Sequence, residues 1–213
     1  MTVIEKYDRH FIYAGVLFNL MIAYRFYTLW ASPEVDHVNQ ITNMATLIAF
    51  EFIMVHSGVF MAVFPKRISL FIFFPFYGVF ALAFAAIIDD WHIILVTYLF
   101  VVFNRMRFAF ANVPKVIKSR NILISVFAVL IYFIGMFIVA FGAEYLPELG
   151  LTKEYLQSSG YLSSLETSGL FFDLPQTAMA LGLFYYVALA IVEFLFVWFR
   201  KRFHKAVTAE LAH

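Results

Sequence analysis

The chain has 213 residues, of which 63% are hydrophobic and 14% charged. A soluble domain averages about 45–50% apolar and about 25% charged residues, so this excess of apolar side chains, laid down in long blocks, marks a membrane protein. A net charge of +1 offers no electrostatic basis for nucleic-acid binding, and the absence of cysteine excludes disulfides, thiolate metal sites and cysteine nucleophiles.

The N-terminal stretch MTVIEKYDRHFIYAG places Glu5 and Asp8 ahead of the first apolar run, and no small-x-small cleavage site follows. It therefore reads as the approach to a retained helix rather than as a cleaved signal. A membrane span needs about 20 mostly apolar residues. Six segments meet this requirement, at about 11–30, 41–64, 68–88, 91–112, 121–142 and 176–199. The expected fold is an all-α, polytopic bundle of six transmembrane helices in a single domain spanning 1–213.

Basic residues orient the spans. Lys6 and Arg9 precede span 1, Lys66 and Arg67 follow span 2, and Arg105, Arg107, Lys115, Lys118 and Arg120 surround the turn between spans 4 and 5. Arg200, Lys201, Arg202 and Lys205 follow span 6, whereas the opposite loops are acidic, with Lys153 their one basic residue. The excess of Lys and Arg on one side predicts that both termini are cytoplasmic, in a plasma (inner) membrane. An even number of spans agrees with this. Trp30, Trp91 and Trp198 fall at span ends, where an amphipathic ring favours the interface. Pro75 and Gly78, in FFPFYG, predict a kink in span 3. The external loop 143–175 is long enough to predict short helices of its own. Within it, Thr152 reads as an N-cap with Leu151 and Leu156 as a staple, and Ser163 with Glu166 as a capping box.

Polar residues inside spans are costly and usually face the bundle interior with partners. Here they are Asn19 and Arg25 in span 1, Glu51 and His56 in span 2, Asn104 in span 4 and Glu193 in span 6. At 1.5 Å per residue, Glu51 lies about 15 Å from the outer edge and Arg25 about 8 Å. Side chains lean toward their own helix N-terminus, so the two lean toward each other if spans 1 and 2 are neighbours. This predicts an Arg25–Glu51 ion pair. His56 is five residues further along span 2, turned about 140° away from Glu51. At its level lie Glu193, Asn104 and Asn19, which predicts a His56–Glu193 contact. Together these residues read as a discontinuous polar column.

A second cluster lies in the outer turns. SPEVDH carries Glu34, Asp36 and His37, and IDDWH carries Asp89, Asp90 and His92. Carboxylate and imidazole ligands suit Zn, Cu or Mn if the two turns meet, whereas solvated loops explain them without a metal. No cofactor is specified by any motif. GxSxG, HExxH, Walker A and GxGxxG are all absent. The basic runs RMRFAFANVPKVIKSR and FRKRFHK serve as topology determinants and would also attract anionic headgroups.

Three functional readings follow, with no catalytic motif to favour an enzyme. The first is a small proton- or ion-coupled transport protein that uses the polar column. The second is a non-catalytic subunit of a larger membrane complex, its ion pairs fixing helix packing. The third is a membrane enzyme or metal-binding protein built on the outer Asp/His turns. Expected partners are the lipid bilayer and a further copy or another membrane protein, with no nucleic acid.

Overall fold

A computed structural model describes residues 7–86, 115–165 and 167–210, together with helical positions 92, 95, 96 and 99. The described residues are helical throughout, with turns and no strand among them. Helix α1 covers Asp8–Ala31 and α2 covers Val38–Val63, joined by a 3-10 turn at Val35–His37. Helix α3 runs on from Lys66–Ile68 through a π turn at Ser69–Phe73 into Phe74–Ala85. Helix α4 covers Lys115–Phe141. After a 3-10 turn at Ala143–Tyr145 come three short helices, α5 (Lys153–Ser158), α6 (Tyr161–Ser164) and α7 (Leu170–Asp173), and then the long α8 (Pro175–Glu210).

Four of the described helices are long and apolar enough to cross a membrane: Arg9–Ala31, Val35–His56, Ser119–Phe141 and Pro175–Phe199. They match the expected first, second, fifth and sixth spans. The apolar helix at the expected third span is shorter, Ser69–Ala83. The expected fourth span, 91–112, lies largely outside the described residues, as do Asp89, Asp90, Trp91 and Asn104.

Two residues ahead of Pro75, where the sequence predicts a kink, the helix ends a π turn at Ser69–Phe73. Proline has no N–H to give the carbonyl of Phe71. The backbone widens just before it, and Phe74 N–H reaches back to the carbonyl of Ser69. Ser69, fully buried there, donates its hydroxyl to the carbonyl of Phe64 at 3.3 Å.

Helix order in space departs from helix order in sequence. α8 packs most extensively along α1, then against α4, and also touches α2, while α2 packs on α4 and barely meets α1. Gly182 makes the α8–α1 approach possible, because a Cβ at this position would lie 2.4 Å from the Phe26 ring. Small residues at such crossings let helix backbones come close, which supports association where lipid removes the hydrophobic drive. The core runs through all four long helices and includes Phe26, Leu29, Ile48, Phe50, Met54, Tyr132, Leu181 and Tyr185.

The described residues of 143–174 fold into a cap at the end of the bundle opposite the start of α1 and the end of α8. Thr152 caps α5 as expected, its hydroxyl accepting the Tyr155 N–H at 3.3 Å, and Leu151 and Leu156 are both buried. Glu166, of the second expected capping box, lies outside the described residues, and Ser163 instead donates to the carbonyl of Gly160 at 2.8 Å. Trp30 sits beneath the cap rather than in an open interface, and its indole N–H donates to the Pro147 carbonyl at 3.0 Å. The Gly150 N–H returns a bond to the Trp30 carbonyl at 3.0 Å. Position 150 admits no larger residue in this pose, since a Cβ would meet Pro33 Cδ at 2.2 Å.

Candidate functional site

Glu51 stands at the middle of α2 and is 1% exposed. Its carboxylate meets α8. Tyr185 donates its hydroxyl to Oε1 at 2.6 Å, and Tyr186 donates to Oε2 at 3.5 Å. The first distance is that of a short charge-assisted bond, the second that of a weak one. Consecutive residues of a helix point about 100° apart. These two tyrosines therefore straddle the carboxylate, one to each oxygen.

A third tyrosine completes the layer from α4. Tyr132, buried, donates to the Ile48 carbonyl at 2.9 Å, one turn before Glu51 on α2. Its ring meets Tyr185 edge-on at 5.6 Å, and Tyr185 meets Tyr186 at 5.0 Å. Phe26 of α1 stacks on Tyr186 at 5.9 Å. All four long helices thus contribute to one closed aromatic layer around a carboxylate. Phe26, Tyr132, Tyr185 and Tyr186 are each no more than 1% exposed.

The expected Arg25–Glu51 pair is not formed. Arg25 is exposed, on the outer side of α1, and has no ion pair among the described residues. The expectation required α1 and α2 to be neighbours, and α8 occupies the position that this would have given to α1. Nor does His56 meet Glu193. The half-buried His56 ring packs edge-on against Phe52 at 4.8 Å and Phe133 at 5.5 Å, and its Nδ1 engages the Phe52 carbonyl one turn back on its own helix. Glu193 is buried two turns beyond Tyr186 on α8, and Asn19 is buried on α1. Asn104 lies outside the described residues.

The tyrosines carried a usable signal. Tyr185 is about ten residues into α8, and Tyr132 is about nine from the end of α4. The depth rule that placed Glu51 near mid-membrane puts both at about the same level. Tyrosine is common at membrane interfaces, and only its depth marks it as a partner here.

No protein-family model, curated protein or solved structure matches this chain. Its helices are compatible with an integral membrane protein.

The turn between α1 and α2 has a separate geometry. Ligand atoms of Glu34, Asp36 and His37 lie within 4.8 Å of one another. Reciprocal helix capping accounts for much of this. The Glu34 N–H donates to His37 Nδ1 at 3.0 Å, and the Glu34 side chain accepts the His37 backbone N–H. With Nδ1 accepting, the neutral imidazole carries its proton on Nε2, so neither ring nitrogen has a lone pair ready for a metal. His92 is exposed and is not part of this group.

Proposed function

We propose that this chain is a proton-coupled membrane transport protein in which Glu51 takes up and releases the proton. The observation that carries the reading is the Glu51 carboxylate, 1% exposed and bonded to Tyr185 at 2.6 Å. A carboxylate in a medium of low polarity is pulled toward its neutral form, while hydroxyl donors favour the charged one.

The hydrogen-bond capacities suit both states. When Glu51 is ionised, the two hydroxyls donate to it. When it is protonated, the carboxyl proton can be given to a tyrosine oxygen, which has lone pairs to accept it. In that state the carboxyl O–H and the phenols remain hydrogen-bonded to one another, so the layer accommodates both forms of Glu51. The tight packing of the layer favours the proton over larger cargo, because a proton needs no cavity.

Six spans with both termini cytoplasmic, in a plasma membrane, complete the reading. It is supported by the distribution of Lys and Arg along the chain.

Proton flux into proteoliposomes, followed with an internal pH dye, tests the reading together with infrared difference spectroscopy of the same samples. Wild type is expected to show flux and a protonated-carboxyl band that titrates across the physiological pH range. Glu51→Gln is expected to lose both. Equal flux in wild type and Glu51→Gln overturns the reading, as does a carboxylate that stays ionised throughout the titration.

A further inference from the structure

We propose that the outward face of α1 docks a membrane-spanning helix of a different protein, and that this helix presents a carboxylate opposite Arg25. The face is exposed along its length. Tyr13, Leu17, Leu20, Tyr24 and Tyr27 stand on it at alternating spacings of four and three residues, with Tyr24 67% exposed. That spacing is the seam along which two helices pack with a shallow left-handed crossing. Arg25, also exposed, flanks the seam.

Exposure at this spacing would by itself describe any lipid-facing helix. The residue types separate α1 from its neighbours. The outward face of α4 carries Leu130, Ile134, Phe137, Ile138 and Phe141, all apolar. The α1 face carries Tyr13, Tyr24, Tyr27 and Arg25; tyrosine near helix ends also suits the membrane interface, so Arg25 is what sets this face apart.

The charge identifies the partner's chemistry. Arg25 is six residues before the end of α1, about 9 Å along the axis. Helical side chains lean toward the N-terminus, which carries the guanidinium deeper into the apolar zone. Reaching a headgroup phosphate at the near interface runs against that lean. A charged group inside a span is normally paired, and among the described residues no carboxylate meets Arg25. A carboxylate from outside the chain satisfies it.

A second copy does not. Two copies share one orientation in the membrane, so a symmetric α1–α1 contact sets Arg25 beside Arg25. The carboxylates deep in the spans, Glu51 and Glu193, are 1% and 7% exposed and are not offered to a neighbour.

The test places a photo-crosslinking amino acid at Leu17 in the full chain, in its own membrane, and identifies the adduct by mass spectrometry. The expected adduct is an apolar helix of another protein that contains Asp or Glu. The same probe at Ile134 is expected to give lipid adducts. Arg25→Glu should lower the Leu17 adduct about tenfold or more, and converting the partner's carboxylate to Lys should restore it. Lipid adducts alone at Leu17 overturn the proposal in favour of a phosphate contact. Overturning results also include an adduct to a second copy, or a protein adduct whose yield is indifferent to Arg25→Glu.

Discussion

The Tyr185 hydroxyl gives its hydrogen bond to a carboxylate that is itself 1% exposed. Removing one member of such a pair leaves the other buried and under-bonded, which costs about 1–3 kcal/mol. Tyr185→Phe is therefore expected to lower the thermal midpoint of the purified protein, and Tyr186→Phe, with its 3.5 Å contact, to lower it less. Combined with Glu51→Gln, Tyr185→Phe should cost less than it does in the wild-type background, because a neutral amide asks less of the phenol. Equal costs in both backgrounds would mean that the hydroxyl and carboxylate are not coupled. Burial of Glu51 was legible in the sequence from its position in an apolar run, and the side chain is 1% exposed. The identity of its described partners was not. An ion pair between Arg25 and Glu51 satisfies the electrostatics of a sequence as well as a pair of phenols does. Choosing between them requires knowing which helix faces α2.

That question belongs to the scale of the element. Span lengths follow from composition, so the first, fifth and sixth spans agree with the expected boundaries to within about two residues, while the second, Val35–His56, is displaced toward the N-terminus from the expected 41–64. Their neighbours do not follow from composition, because apolar helices in lipid associate through shape. A glycine fitted to an aromatic ring, as Gly182 is to Phe26, leaves little trace in a hydropathy pattern. Local chemistry in the cap was more readable, since Thr152 caps α5 through a contact three residues away. Thr152→Ala is expected to cost about 1 kcal/mol in the stability of the cap. Acid should loosen the same turn. Bonds from backbone N–H and from the Thr152 side chain hold the Glu154 carboxyl below its usual range. A depressed folded-state value contributes stability that is present at neutral pH and lost as pH falls through that value. Amide exchange across Lys153–Ser158 should therefore rise on acidification relative to the long helices, after correction for the intrinsic rate, and Glu154→Gln should remove the difference.

At the scale of the whole molecule, the absence of cysteine makes topology directly measurable, because an introduced thiol has no native background. Ser32 and Ser158 are exposed at the cap end of the bundle, and Ser119 is exposed at the other end. A membrane-impermeant maleimide added to intact cells is expected to label Ser32→Cys and Ser158→Cys, and to label Ser119→Cys after the membrane is opened. The reverse pattern would invert the orientation drawn from the basic residues. Labelling of all three in intact cells would remove the membrane-spanning reading of α4.

The position of α8 between α1 and α2 also sets an order of events during synthesis. Chains emerge from the ribosome N-terminus first. Helices α1 and α2 emerge well before the segment that binds them together has been made. Throughout that interval Glu51 has been made while Tyr185 and Tyr186 are still untranslated. A chain stopped just before Pro175 would retain the buried acid and lack both phenols. The last helix thus acts as a closing piece, and an incomplete chain is distinguishable from a finished one by an acidic group left without these two donors midway along α2.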